Sequence, residues 1–166
     1  MTTTGEKVRF VIEPWLKNWS FFSLDLDGLS RGLISAWNPS LKAISSIAQK
    51  NVISVELEFK EFNMVWKVLN VNGPYADRNS FWDNMLVSGI MPHSPFILGG
   101  DMNFTSSISE VRENYPRLDP SKAYFIHYFE ALHLVNVKPI KLAPTWQNLC
   151  SPEDAVSKRL DRFFVS

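Results

Sequence analysis

A chain of 166 residues suits one domain. Apolar residues make up 45% of it, with twelve Phe and six Trp, and seventeen Lys plus Arg balance seventeen Asp plus Glu, which excludes the disordered class of low hydrophobicity and high net charge. The basic residues are scattered, so the basic stripe of a non-specific nucleic-acid binder is absent and any contact with DNA has to be argued from a site.

In chain order, Val8, Val11, Ile12, Trp15 and Leu16 follow the spacing of an amphipathic helix, which Pro14 should end or kink. Residues 20–26 and 32–37 read as strands, joined by turn chemistry over 27–31. Residues 52–59 alternate, with Ile53, Val55, Leu57 and Phe59 on one side and Ser54, Glu56 and Glu58 on the other, which predicts a half-buried strand. A second strand over 64–71 is stopped by Gly73-Pro74. Phe81, Met85 and Leu86 predict a short helix capped by Asn79 or Ser80. Residues 95–98 read as a buried strand ending at Gly99-Gly100. A helix over 121–132, capped by Asp119 or Ser121, presents Tyr124, Phe125, Tyr128, Phe129 and Leu132, and a last strand covers 160–165. Strands outnumber helices and both hairpin and crossover spacings occur, so the expected class is α/β, a mixed sheet with helices packed outside it.

The single cysteine, Cys150, leaves no intrachain disulfide and no cysteine-based zinc site, and fits a reducing compartment. Residues 1–7 contain no apolar h-region, so no signal peptide and an intracellular chain are expected, and no apolar run reaches membrane-spanning length. His93, His127 and His133 lack metal-ligand partners at helical spacing and read as structural or exposed.

Three segments could carry chemistry. In Phe96-Ile-Leu-Gly-Gly-Asp-Met-Asn103 a buried strand ends, two glycines permit a tight turn, and Asp101 and Asn103 follow two apart. In extended geometry they point to one side, a carboxylate suited to Mg²⁺ beside an amide suited to a phosphate oxygen or water. The bland alternative is an Asp/Asn turn closing a loop. Asp161 stands between Arg159 and Arg162 at a strand start, either in a surface ion pair or as a buried carboxylate that orients a catalytic histidine. Trp146 either shapes a pocket or belongs to the core.

Taken in order, these segments resemble the endonuclease/exonuclease/phosphatase superfamily, most closely the endonuclease domain of plant non-LTR (LINE-type) retrotransposons. The carrying residues are Asp27-Gly-Leu-Ser-Arg-Gly-Leu-Ile34 with Trp37-Asn38, Asn70-Val-Asn-Gly-Pro74 with Arg78 and Phe81-Trp82, Ile97-Leu-Gly-Gly-Asp-Met-Asn103, Pro144-Thr-Trp146, and Ser157-Lys-Arg-Leu-Asp-Arg-Phe-Phe-Val-Ser166. The resemblance implies a four-layer sandwich of two mixed β-sheets with outer helices, here incomplete, and Mg²⁺- or Mn²⁺-dependent phosphodiester hydrolysis of DNA. It implies that Asp101 orients or deprotonates the attacking water and binds metal weakly, that Asn103 contacts the scissile phosphate, that Asp161 orients the family's C-terminal histidine, and that Trp146 and Asn72 contact substrate.

The family's metal-binding Glu, commonly in Gln-Glu-Thr-Lys, and its Ser-Asp-His segment have no matching residues. Asn72 stands where a Tyr is usual, with Tyr75 three residues later, and Arg31 where a second glycine is usual. The expectation is one partial domain over 1–166, lacking the first strands and the C-terminal His segment, with cleavage weak or lost. Two other readings stay open: a piece of a longer active endonuclease–reverse transcriptase, and a non-catalytic nucleic-acid-binding module.

Overall fold

The computed structural model describes residues 12–25, 32–91, 95–148, 150–151 and 154–166. The expected helix over 8–16 lies mostly outside these residues; its end, 12–18, runs in turns, with Trp15 exposed. The expected turn over 27–31 and His93 also lie outside them.

Three sheets form. A hairpin pairs β1 (Ser20–Leu24) with β2 (Leu33–Trp37). A mixed six-stranded sheet has the order β3 (Lys42–Gln49), β4 (Val52–Phe59), β5 (Met64–Asn72), β6 (Phe96–Asp101), β11 (Asp161–Val165), β8 (Val135–Asn136). Three two-residue strands, β7 (Val111–Arg112), β9 (Trp146–Gln147) and β10 (Ser157–Lys158), form a small antiparallel sheet that sequence periodicity is too short to reveal. Among the described residues only β5 and β6 pair in parallel. A parallel pair needs a crossover, and helix α1 (Arg78–Val87) supplies it.

The six-stranded sheet is covered on both sides. Toward the helices, Val52, Leu69, Val71, Phe96, Leu98 and Phe164 pack against Trp82 and Met85 of α1 and Phe125, Tyr128 and Phe129 of helix α2 (Lys122–Ala131). On the opposite face, Ile53, Val55 and Leu57 pack against Phe22, Leu24, Leu33 and Trp37 of the hairpin, and Asn70 Nδ2 donates to Ile34 O at 2.9 Å. The α/β sandwich of two facing sheets with outer helices is therefore present, the smaller sheet being represented among the described residues by the antiparallel hairpin.

Several local expectations are corrected. β4 is not half-buried: Ser54, on its polar side, is as buried as its apolar neighbours because the helix side is roofed as well. β3 escapes pattern reading because a bulge between Ala43 and Ser45 breaks its alternation. The cap of α1 is Asp77, in left-handed backbone at φ 51°, and it offers no side-chain cap bond. Gly99 and Gly100 lie inside β6 rather than in a turn after it. A Cβ on Gly99 would stand 2.6 Å from the Phe163 ring, and one on Gly100, at φ +126°, would stand 2.0 Å from Val71 O.

A buried charge cluster ties the chain's last third together. Glu110, at the end of a 3-10 turn (Ile108–Glu110), is closed between Arg159 and Arg162, and all three are at most 6% exposed. Its Oε1 accepts from Arg159 Nη1 at 3.0 Å and Arg162 Nη1 at 2.9 Å. Its Oε2 accepts from Arg162 Nη2, from the Ser106 N–H at 2.7 Å and from Ser106 Oγ at 3.0 Å. Burial alone would raise the Glu110 carboxyl, but the Arg162 hydrogen bond and charge, with the Ser106 bonds, outweigh it and hold it down from 4.5 to about 2.

Two predictions follow from this packing. Glu110→Gln leaves two buried guanidiniums without their carboxylate and should cost about 3–5 kcal/mol in chemical unfolding. For the unaltered chain the sign is fixed by the depressed pKa: the unfolded carboxyl binds its proton near 4.5 and the folded one near 2. The cluster's stabilisation is complete above about 4.5 and drains away as pH falls toward 2, so acid unfolding in that window should be blunted in Glu110→Gln.

Among the described residues the hairpin packs against β4 and β5. Beyond it, on the same face, Phe163 (60% exposed) and Val135 (64%) stand open among the described residues, beside partly exposed Ile97 and Val165. An open apolar sheet face promotes association. In sedimentation velocity the isolated chain should self-associate with rising concentration, and Val135→Lys should reduce this; a monodisperse monomer with one sharp thermal transition would contradict it.

Candidate functional site at the sheet rim

Asp101 ends β6 and Asp161 begins β11, and the two are register partners on one antiparallel rung. Met102 N–H donates to Leu160 O at 3.0 Å on the next rung. The Asp101–Asp161 rung is therefore of the non-hydrogen-bonded kind, with Cα atoms about 4.5 Å apart. Asn72, at the end of β5, is Asp101's partner on its other side. Thr145 Oγ1 pins the start of β11 by accepting the Leu160 and Asp161 N–H groups, both at 3.0 Å.

Asp101 and Asn103 converge, though not through extended backbone. Asn103 has φ 52°, in the left-handed region that Asn tolerates better than most residues. The chain folds back so that the Asn103 N–H donates to Asp101 Oδ1 at 2.8 Å, and Asn103 Nδ2 donates to Gly73 O. The Asx turn and the convergence of the two side chains, read from sequence as alternatives, are one arrangement. Burial raises the Asp101 carboxyl, the Asn103 N–H opposes that, and the negative charge of Asp161 raises it further.

Asp161 is exposed, and Arg159 and Arg162 turn away from it to Glu110, so neither the surface ion pair nor the buried carboxylate expected from sequence is found. Arg159 points inward from the segment before β11 and Arg162 alternates to the helix side, which leaves Asp161 on the opposite face. His127 and His133, on and just after α2, are exposed and do not line the cleft described next.

A cleft of about 720 Å³ opens at this rim, lined among others by Asp101, Asn103, Tyr75, Arg117, Trp146 and Lys158. Trp146 is 44% exposed, a wall rather than core. Asn72 sits beside Asp101 in the sheet but is not among the lining residues. Sequence reading missed Arg117, brought to the rim by the segment before α2, and Lys158, brought there by the short strand β10. It also missed the anchoring role of Arg78, whose Nη1 donates to Asn103 O at 2.7 Å. The Arg78 guanidinium is held by Asp119 in two bonds of 2.8 Å. Burial opposes ionisation of Asp119, but Arg78 and the Ser121 N–H prevail and lower its pKa. Among the described residues no group of three or more His, Cys, Asp or Glu could hold a metal ion. Asp101 and Asp161 are two carboxylates only, so the donor set does not fit a tightly held divalent ion.

No protein-family model matches the sequence, and none of the curated proteins does. Solved structures do match in fold. The endonuclease domain of TRAS1, a telomere-specific non-LTR retrotransposon, superposes with a TM-score of 0.64 at 14% identity, over 88% of this chain and 67% of that one. TDP2 from D. rerio, complexed with single-strand DNA product, gives 0.64 at 16% identity, over 99% and 68%. The 3′ phosphatase NExo from Neisseria, bound to a product DNA hairpin, gives 0.66 at 12% identity, over 99% and 73%. The chain thus has the α/β sandwich fold of endonuclease/exonuclease/phosphatase enzymes and spans about two thirds to three quarters of these three chains.

The rung geometry generates a prediction. Asp161→Asn removes the like charge across from Asp101 and should lower the Asp101 carboxyl pKa, read by carbon-13 NMR of that carboxyl, while burial keeps it above the ordinary aspartate value. An unchanged Asp101 titration would show that the two side chains do not face each other.

Proposed function

We propose that this chain is an endonuclease/exonuclease/phosphatase superfamily protein of the non-LTR retroelement type, whose rim cleft takes a DNA phosphodiester and whose hydrolytic activity is weak or lost. The observation that carries this is the meeting of Asp101, Asn103 and Asp161 at one end of the six-stranded sheet. Solved proteins of this fold include an endonuclease, a DNA-bound phosphatase and a DNA-bound TDP2. The retroelement assignment is supported by the Gly-Gly-Asp-Met-Asn103 and Arg-Leu-Asp-Arg162 segments and by the likeness to TRAS1.

In this reading Asp101 keeps Oδ1 on the Asn103 N–H and uses its other oxygen to orient or deprotonate a water. Asn103 commits one amide hydrogen to Gly73 O and has a second for a phosphate oxygen. Arg117 and Lys158 line the same cleft and offset phosphate charge, and Trp146 offers a face for a sugar or base. Were Mg²⁺ or Mn²⁺ to bind, Asp101 and Asp161 would hold it weakly, and it would neutralise charge at the phosphate.

A second reading is favoured by one observation. The chain spans about two thirds of the TRAS1 and TDP2 chains, so these residues would belong to a longer working nuclease that supplies the remaining groups. A purely non-catalytic nucleic-acid-binding module is less favoured, because the charge is balanced and phosphate contacts depend on Lys and Arg.

Each missing transition-state donor costs about 10²–10³ in rate, and such losses within one catalytic unit do not simply add. The purified 166-residue chain should therefore leave supercoiled plasmid un-nicked with Mg²⁺, at the level of its Asp101→Ala control. Nicking that needs Mg²⁺ and disappears in Asp101→Ala would overturn the claim of weak or lost activity.

A further inference from the structure

A second cavity, of about 550 Å³, lies along the same rim, between the β3–β4 turn and the flank of α1. Its floor is apolar: Val52, Met85 and Ile90 are buried, and Phe81 is half-buried. Its rim carries Gln49, Lys50, Asn51, Asp77, Ser80 and Asn84. No side chain of these six takes part in a hydrogen bond or ion pair among the described residues. The contrast with the catalytic cleft is sharp, since there Arg78, Asp119 and Asn103 are all committed to internal partners.

The two spaces are neighbours. Asn51 O accepts the Asn72 N–H at 2.9 Å, and Asn72 is the register partner of Asp101. Asn51 is thus two strand spacings, about 10 Å, from the Asp101 backbone. Between them runs a ridge of consecutive residues, with Pro74 lining the cavity and Tyr75 lining the cleft.

We infer that this cavity is a nucleobase subsite, taking the base of a nucleotide one or two steps from the phosphodiester held in the cleft. An apolar floor with Phe81 suits the flat face of a base. The Gln49, Asn51 and Asn84 amides each offer donors and acceptors, which a base edge requires. Lys50 and Asp77 balance each other, so the rim is not a site for a bare anion such as free phosphate. The inference rests on the reading of the cleft as a DNA phosphodiester site, and it adds a second base-contacting element beside the Trp146 face of that cleft.

The test uses the 166-residue chain and single-stranded oligodeoxyadenylate, with each nucleotide replaced in turn by an abasic one, followed by fluorescence anisotropy. Stacking of a base on a protein surface is worth enough that its loss should weaken binding about tenfold. That loss is expected at one position of the oligomer, not at all of them. Ser80→Trp and Asn84→Trp, both at exposed positions on one side of α1, fill the cavity from outside. In either variant, checked by circular dichroism to be folded, the intact oligomer should bind as weakly as the sensitive abasic one, with no further loss on removing that base. Equal losses at every position, or full affinity in both filled variants, would overturn the subsite while leaving the DNA reading of the cleft in place. Failure of the wild-type chain to bind any of the oligomers would bring down both.

Discussion

The carboxylate of Glu110, closed between Arg159 and Arg162, is the interaction on which the placement of the site depends. It accepts hydrogen bonds from both guanidiniums and from Ser106, and the Arg159 N–H donates to Glu110 O at 3.0 Å. Arg162 also lies over the Phe104 ring, 4.8 Å from its centroid. One cluster thereby joins the 3-10 turn, the loop after β6 and the start of β11. Burying two cations is tolerable only when a fully bonded carboxylate meets them, so the chain has few alternatives to this register. Every side chain of β11 follows from it: Arg162 and Phe164 go to the helix side, and Asp161, Phe163 and Val165 to the other.

That alternation sets two carboxylates facing each other at the rim. Like charges across a rung are unfavourable, and neither is relieved by a basic side chain, because the nearby arginines are held elsewhere. Burial and the facing Asp161 charge both raise the Asp101 carboxyl, with the Asn103 N–H opposing them. The Asn103 turn extends the same logic, since its left-handed backbone, its bond to Asp101 and its clamp on Gly73 all fix one polar group at one strand end. The site is nevertheless short of ligands: of the carboxylates lining the cleft, Asp119 is tied to Arg78, while Asp161 lies beside the cleft rather than in its lining, and among the described residues no histidine lines it.

Much of this was legible in the sequence, and the failures have physical causes. Strands β4, β5, β6 and β11 and helices α1 and α2 follow from periodicity, because each packs one apolar face against another layer. β3 does not, since its bulge and exposed Ile44 and Ile47 belong to an edge where no partner enforces alternation. β7, β9 and β10 are too short to carry a period. The placement of Asp101, Asn103, Asp161 and Trp146 near one sheet end was legible because strand-end acids and an isolated aromatic are visible locally. Their mode of meeting was not, since extended geometry was assumed where the backbone turns left-handed. Glu110 was invisible: an acid in a polar loop gives no sign that two arginines about fifty residues later will bury it. Long-range charge pairing is set by topology, and one sequence read alone does not contain it.

The central claim is that Asp101 and Asp161 share one rung at the rim of a folded sheet. Disulfide formation tests it directly, because a bridge needs Cα atoms within about 4.4–6.8 Å. In a background where the exposed Cys150 is replaced by Ser, the double variant Asp101→Cys/Asp161→Cys should close its bridge on mild oxidation of the folded protein and lose it as a favoured product in denaturant. Two thiols that stay free while circular dichroism shows an intact fold would contradict the account.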